Sequence, residues 1–267
     1  MWGVFIMRRK ARWIIFLWGC VWAAGGCASE YNLATGREER LMYGTEKEIN
    51  VGDAVARQVE RNYEISRDLE LNQRMESILA RLVPVVDRKD LVYTIRVIDE
   101  DKVNAVSLPG GYVYVFRGLI DKMEKDDQIA GVVAHELGHI TARHGIKRMQ
   151  SLYGYALLQG LAIASQDADA VVGVNAIYTS IFFAYSRQDE FEADRLAVKY
   201  MKKAGYDPQE MIKVLEILKK EGERAPAQPI NYFRTHPYLS ERMGIVHQAI
   251  TGELRFKDYL NLTGNDI

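Results

Sequence analysis

The chain has 267 residues, of which 48% are hydrophobic and 27% are charged. This composition is typical of one globular domain that buries a sizeable core, and it argues against intrinsic disorder. The 35 Lys and Arg residues are balanced by 36 Asp and Glu residues, so the formal net charge is −1. No basic surface that would neutralise phosphates is indicated, and nucleic acid is not expected as a partner.

The first 27 residues have the features of a bacterial export signal. Basic residues between positions 8 and 12 precede an apolar run at 13–24. The run is shorter than the roughly 20 residues of a membrane-spanning helix, but it matches a secretory h-region. The sequence AGGC at 24–27 then resembles a lipobox, which predicts a signal peptide at 1–26 and a lipid anchor on Cys27. A simple cleaved signal, lipidation of Cys20 and a start at Met7 remain alternatives.

Helices are predicted from Thr45 to Val83, where apolar residues recur at helical spacing in two groups. Thr45 followed by Glu48 suits a capping box at the start of the first helix. Asp126 and Asp127 place negative charge at the start of a later helix. Further helices are expected at 188–203, 208–220 and 239–250.

Strands are predicted between Leu91 and Phe116, where β-branched residues alternate with other side chains. Pro-Gly-Gly at 109–111 marks a tight turn, so segments 103–108 and 112–116 are expected to form a short antiparallel pair. The predicted fold class is therefore α+β, mostly helical, with a small sheet of three or four strands.

Two strongly apolar stretches, 152–164 and 171–184, flank the polar sequence SQDAD. Each is shorter than the roughly 20 residues that cross a membrane, and together they predict a helical hairpin. Two interpretations of this hairpin stay open, a part of the core or an exposed lid that contacts substrate or lipid.

The sequence HELGH at 135–139 is an HExxH motif inside the helix that begins near Asp126. Residues four apart project from the same helix face, so His135 and His139 can bind one metal ion. Glu136 lies about 100° around the helix from His135 and can reach a water molecule beside that ion. The spacing indicates a zinc site with Glu136 as the general base.

A catalytic zinc ion takes three protein ligands, so a third donor is needed elsewhere. Ala142 and Gly145 stand where a metzincin has glycine and histidine, which excludes that class. His144 is predicted to point away from the metal, at the C-terminal end of the motif helix.

A carboxylate donor is predicted in the sequence SRQDEFEAD at 186–194. Glu190 and Asp194 are four residues apart on a helix, so one carboxylate can bind zinc while the other accepts a hydrogen bond from a ligand histidine. Glu192 is expected to point to nearly the opposite face. Arg187 and Arg242 are candidates to pair with these carboxylates, and surface positions are equally compatible with the sequence.

These motifs together resemble peptidase family M48, in the soluble, exported branch that is similar to the BepA-type and Oma1-type proteases. The shared sequences are NLATGR at 32–37, NAVSLPGG at 104–111, HELGH at 135–139, SRQDEFEAD at 186–194 and THP at 235–237. The resemblance implies a zincin-like metallopeptidase domain at 45–252, preceded by a linker at 27–44 and followed by a tail at 253–267.

The resemblance also implies roles for individual residues. His135, His139 and Glu190 are the expected ligands of one zinc ion, Glu136 is the general base, and Asp194 orients a ligand histidine.

Two further roles concern the substrate. Asn104, Ala105 and Val106 are expected to form an edge strand along which an extended peptide pairs. His236 is expected near the metal, where it either stabilises the oxyanion or fills the open coordination position.

The implied function is that of a zinc-dependent endopeptidase on the periplasmic side of the bacterial envelope, as an outer-membrane lipoprotein. Misfolded or misassembled envelope proteins are its expected substrates, and envelope assembly machinery is a candidate partner. The alternative is a non-catalytic or latent zinc lipoprotein that acts as a chaperone or assembly factor. A structural zinc site would not need Glu136 and would favour cysteine ligands, yet both cysteines lie in the first 27 residues.

Overall fold

The computed structural model describes residues 28–41, 44–158, 184–224 and 232–252. The predicted signal peptide, Cys27 and the tail at 253–267 lie outside these residues, as does most of the predicted apolar hairpin. Among the described residues, no helix combines the length and the apolar character needed to cross a membrane.

An antiparallel hairpin opens the described chain, with β1 (Ala28–Asn32) paired to β2 (Arg37–Leu41). Residues 28–41 of the predicted linker at 27–44 thus form a strand pair. The strands carry many charged residues and lack the alternating apolar pattern that would reveal them in the sequence. The buried side-chain amide of Asn32 attaches the hairpin to the domain, because it donates to the backbone oxygen of Thr141 at 3.1 Å.

The next segments are α1 (Thr45–Asn62), α2 (Leu69–Leu82) and a 3-10 turn (Val83–Val85). Two helices in this region confirm the prediction from apolar spacing. The predicted capping box is wrong, because Gly44 is the N-cap of α1 and no side chain caps that end. Glu48 instead accepts two hydrogen bonds from the buried guanidinium of Arg88, at 2.8 and 2.9 Å.

A three-stranded sheet comprises β3 (Thr94–Ile98), β4 (Ala105–Leu108) and β5 (Tyr112–Phe116). Its order is β3-β5-β4, with β3 parallel to β5 and β4 antiparallel to it, which confirms the predicted pair. The turn needs glycine, since Gly111 has a φ of 107° and a Cβ there would lie 2.3 Å from the backbone oxygen of Val92. Among the described strands, β4 pairs only with β5 and lies at the edge.

The remaining helices are α3 (Asp126–Thr141), α4 (His144–Leu158), α5 (Arg187–Ala204), α6 (Gln209–Arg224) and α7 (Leu239–Thr251). Single helical turns occur at Arg117–Ile120 and Tyr232–Thr235. The last three long helices begin and end close to their predicted bounds.

Helix α3 lies at the centre of the core, and every residue from Gln128 to Thr141 is buried. Helices α5 and α6 and the sheet pack around it. The glycine of the HELGH sequence allows close packing with α5, because a Cβ at Gly138 would lie 2.9 Å from the backbone oxygen of Ala193. The predicted fold, mostly helical with small sheets and a helix that carries the metal motif, is confirmed.

Candidate metal centre

Helix α3 presents His135 and His139 on one face, one turn apart, with side chains only 1% exposed. Their Nε2 atoms are 3.0 Å apart, so both rings direct a lone-pair position toward one point. The spacing of four residues on a helix produces this convergence, as the motif predicts.

Helix α5 brings Glu190 to the same point. Its Oε2 lies 3.5 Å from His135 Nε2, and its Oε1 lies 3.5 Å from His139 Nε2. A capping box between Ser186 and Asp189 starts the helix just before Glu190. The N-terminal end of a helix favours a carboxylate, so the first turn of α5 suits an ionised ligand.

His236 follows the helical turn at 232–235 and lies on the other side of this point. Its Nδ1 is 3.0 Å from Glu190 Oε1 and 3.4 Å from His135 Nε2. One donor atom from each of His135, His139, Glu190 and His236 falls within 4.8 Å of the others, and all four side chains are buried. The structure thus brings together the residues that the sequence assigns to the metal.

Glu136 lies beside this cluster and is fully buried. Its Oε2 accepts a hydrogen bond of 2.7 Å from the hydroxyl of Ser107, on edge strand β4. Its Oε1 is buried and has no hydrogen-bond partner among the described residues, and His236 Nε2 is 3.4 Å away. One oxygen of the carboxylate is therefore fixed, while the other faces the cluster with its lone pairs available. Ser107 lies in the NAVSLPGG sequence, but strand periodicity does not show that its side chain meets Glu136.

Asp194 and Arg242 lie behind His135. Asp194 Oδ1 is 2.9 Å from His135 Nδ1, as the spacing from Glu190 predicts. Arg242 donates from Nε and Nη2 to the two oxygens of Asp194, both at 2.8 Å, and its Nη1 lies 2.7 Å from Glu190 Oε2. Arg242 is fully buried, so one guanidinium offsets the charge of two buried carboxylates. Arg187, the other candidate, pairs with Glu241 at 3.2 Å and lies partly exposed.

His144 and Glu192 lie behind His139. The Nδ1 atoms of His139 and His144 are 2.8 Å apart, and His144 Nε2 is 3.2 Å from Glu192 Oε2. The prediction that His144 ends the motif helix is wrong, but His144 lies outside the cluster of possible metal ligands, as predicted. Helix α3 ends at Thr141, and Arg143 has a φ of 57°, so His144 begins α4 and its ring returns toward His139.

The ionisation states of His139 and Glu190 suit a divalent metal ion. Burial lowers the pKa of His139 well below its usual value, which leaves a neutral ring with a free lone pair. Burial works against an ionised Glu190, but the charges of Arg242 and His236 hold the pKa of Glu190 well below its usual range. Two imidazole nitrogens and one carboxylate oxygen are the donor set that a catalytic zinc ion takes. Together with the unpartnered Oε1 of Glu136, these donors fit zinc.

Two tyrosines pack on the histidine rings of the cluster. The ring of Tyr185 stacks on His139 with centroids 3.9 Å apart, and Tyr232 stacks on His236 at 4.3 Å. Both tyrosines are buried. They close the cluster against solvent on two sides, and neither has a motif spacing that sequence reasoning could have used.

The predicted substrate-binding residues lie next to the base. Asn104, Ala105 and Val106 are buried and lead directly into Ser107, which contacts Glu136. The backbone oxygen of Asn104 already accepts from the amide of Phe116 at 3.0 Å. These residues therefore belong to a strand that passes the candidate centre.

Comparison with known proteins places this geometry in a family. Residues 69–250 match the family model described as "Peptidase family M48", which covers more than half of the chain. The chain belongs to peptidase family M48. The resemblance inferred from the motifs is confirmed, and a zinc cofactor agrees both with the M48 family and with the donor set of the cluster.

Individual M48 relatives extend the similarity. The chain is 30% identical over 207 residues to the beta-barrel assembly-enhancing protease of Escherichia coli K12. This match covers 74% of this chain and 42% of that protein. It is also 34% identical over 157 residues to the mitochondrial metalloendopeptidase OMA1 of Arabidopsis thaliana. This match covers 59% of this chain and 31% of that protein. The matched part of these relatives is thus less than half of their own length.

Proposed function

We propose that this M48 chain is a zinc-dependent endopeptidase whose metal is bound by His135, His139 and Glu190. The observation that carries the proposal is the convergence of these three donors beside the unpartnered Oε1 of Glu136. A non-catalytic metal site would not need a buried carboxylate that keeps one oxygen free.

The chemistry follows from these positions. A zinc ion held by the three donors would act as a Lewis acid on the scissile carbonyl and would lower the pKa of a water molecule toward about 7. Glu136 takes the proton of the attacking water at Oε1 and later delivers it to the amine of the leaving peptide. Ser107 holds the other oxygen of Glu136 in place during both transfers.

We assign Asn104, Ala105 and Val106 to substrate binding. Ala105 and Val106 belong to edge strand β4, Asn104 directly precedes it, and the next residue, Ser107, contacts the base. An extended peptide that adds to this edge would pass beside Glu136, and main-chain hydrogen bonds would bind it whatever its sequence. This mode suits an enzyme that cuts unfolded segments of many proteins.

The proposed location is the periplasmic side of the bacterial envelope, where the predicted signal peptide at 1–26 and a lipid on Cys27 would make the protein an outer-membrane lipoprotein. Misfolded or misassembled envelope proteins are the proposed substrates, with envelope assembly machinery as a partner. The name of the beta-barrel assembly-enhancing protease supports this proposal by similarity.

A latent protease is the second candidate, and the position of His236 favours it. Its Nδ1 is as close to Glu190 as a fourth ligand would be, and its Nε2 lies near Glu136 Oε1. The same ring could instead stabilise the oxyanion of the transition state. In the first case His236 must leave before substrate binds, whereas in the second it acts during the reaction.

The proposal is tested by Glu136→Gln. We expect the variant to retain one zinc ion per chain and to cleave casein at least about 100-fold more slowly, because the general base is lost. Zinc content is measured by elemental analysis and cleavage by release of labelled peptides. Glu216→Gln, at an exposed position on α6, is the matched control and should cleave like the wild type. Undiminished cleavage by Glu136→Gln would remove the assigned base.

His236→Ala separates the two roles of that ring. Retained zinc with faster cleavage indicates a latency device, and retained zinc with slower cleavage indicates oxyanion stabilisation. Unchanged cleavage would exclude both roles for His236.

A further inference from the structure

Three side chains form a continuous path from the metal cluster to the surface of α5. His139 Nδ1 meets His144 Nδ1 at 2.8 Å, and His144 Nε2 meets Glu192 Oε2 at 3.2 Å. The side chain of His144 is 1% exposed, whereas that of Glu192 is 24% exposed. Asp189 Oδ1 is a more distant neighbour of His144 Nε2, at 3.5 Å.

The direction of the hydrogen bonds along this path follows from metal binding. His139 turns its Nε2 toward the other ligands, so the proton of a metal-binding ring is on Nδ1. That N–H can donate only if His144 Nδ1 accepts, which leaves the proton of His144 on Nε2. His144 then donates to Glu192 Oε2, which lies 3.2 Å from its Nε2. Each atom of the path therefore has one consistent role.

We propose that His144 and Glu192 are positioning residues for His139, which fix the tautomer and the orientation of its ring so that Nε2 faces the metal. The proposal rests on the metal binding assigned above, and it does not depend on peptide cleavage. His135 has a carboxylate, Asp194, as its direct partner at the corresponding Nδ1 atom. For His139 the corresponding carboxylate is that of Glu192, which acts through the imidazole of His144.

The turn between α3 and α4 places His144 beside His139. Arg143 adopts a left-handed backbone conformation, uncommon for a residue with a long side chain, and it turns the chain back immediately after the motif helix. The guanidinium of Arg143 is held by two hydrogen bonds to Glu30 of the β1–β2 hairpin, at 2.7 and 3.0 Å. The conformation that aims His144 at His139 is thus fixed by contacts outside the metal cluster.

The experiment measures metal binding by the full chain with three substitutions. His144→Leu keeps a side chain of similar bulk but removes the acceptor. His144→Asn places a carbonyl oxygen near the former Nδ1 atom, so it can still accept from His139. Glu192→Gln keeps the shape of the far partner and removes its charge. Asp87→Asn is the control. Asp87 pairs with Lys199, which lies on α5, the same helix as Glu192, but away from the metal cluster.

Zinc affinity is determined by competition with a chromogenic chelator, and ligand geometry by the visible absorption of the Co²⁺-substituted protein. We expect His144→Leu to weaken zinc binding about 10- to 100-fold and to change the Co²⁺ spectrum. His144→Asn should recover most of the affinity, and Glu192→Gln should give a smaller loss than His144→Leu. Asp87→Asn should leave both measurements unchanged, even where it lowers thermal stability.

The outcomes separate this proposal from the proposed function. If the wild-type chain binds no zinc, the metal site itself fails. If the wild type binds zinc but His144→Leu binds it equally well with the same Co²⁺ spectrum, the positioning role is overturned. A His144→Asn variant as weak as His144→Leu would also overturn it, since the acceptor would then not matter. Should His144→Leu fail to fold, Glu192→Gln decides the question. A zinc affinity of Glu192→Gln equal to that of the wild type would overturn the positioning role.

Discussion

His135 and His139 lie one turn apart on the same helix, yet the protein supports their rings in two different ways. Behind His135, Asp194 and Arg242 form a charged pair that is fully buried. Behind His139, an imidazole leads outward to Glu192, which is partly exposed. The candidate metal centre thus combines a rigid, fully buried support, costly to break, with a support that ends in solvent. Substitutions on the two sides should therefore differ in size and in what they change.

The largest effect is expected from Arg242→Met. Without the guanidinium, Asp194 is a buried carboxylate that has lost its paired cation, and removal of one partner from a buried ion pair costs about 3–5 kcal/mol. Burial already opposes the ionised form of Asp194, and it is Arg242 that holds the pKa of Asp194 below its usual value. Urea denaturation measures the loss of unfolding free energy.

Two further variants control this measurement. Arg187→Met removes a partly exposed arginine that pairs with Glu241, and it should cost less than about 1 kcal/mol. Arg242→Lys keeps the charge but loses the paired hydrogen bonds, so it should lie between the two. Equal losses for Arg242→Met and Arg187→Met would show that the buried side of the site is not the rigid one.

The next effect is expected from Asp194→Asn, on metal affinity. The amide keeps the size of the side chain, but it removes the charge that holds the Nδ1 proton of His135, and we expect zinc to bind about 10- to 100-fold more weakly. Competition with a chelator measures the affinity. Glu192→Gln is the comparison on the other side, and its loss should be smaller because Glu192 acts through His144 and is partly exposed. A greater loss for Glu192→Gln would reverse the comparison.

The same contrast decides what the sequence could reveal. His135, His139, Glu190 and Asp194 repeat at a spacing of four within two helices, so helical geometry alone brings each pair to one face. Arg242 lies 48 residues beyond Asp194 in a different helix, and no local pattern connects them. Its burial and its two carboxylate partners become visible only when α7 packs against α5.

The position of His144 beside His139 could not be predicted from the sequence for a different reason. A helix that continued past Thr141 would turn His144 away from the metal, and that assumption fails at a single residue. Left-handed backbone conformations usually occur at glycine or asparagine, whereas the residue in this conformation here is an arginine, Arg143. The β1–β2 hairpin that holds Arg143 was likewise hidden, since its charged strands resemble a solvated linker. Long, strongly periodic helices were predictable because burial of one face leaves a regular pattern.

The smallest effect is expected from Glu30→Gln, which tests how firmly the hairpin holds the corner that carries His144. The hydrogen bond from Arg143 lowers the pKa of Glu30 below the usual value of a glutamate side chain. A carboxyl with a lowered pKa in the folded state contributes stability above its unfolded pKa and loses it as the pH falls through the folded value. Because Glu30 is half exposed, the substitution should cost only about 0.5 kcal/mol at neutral pH, and the difference from the wild type should vanish in acid. Glu76→Gln, at an exposed position on α2, is the matched control, and an equal loss there would mean that the hairpin contact does not stabilise the corner.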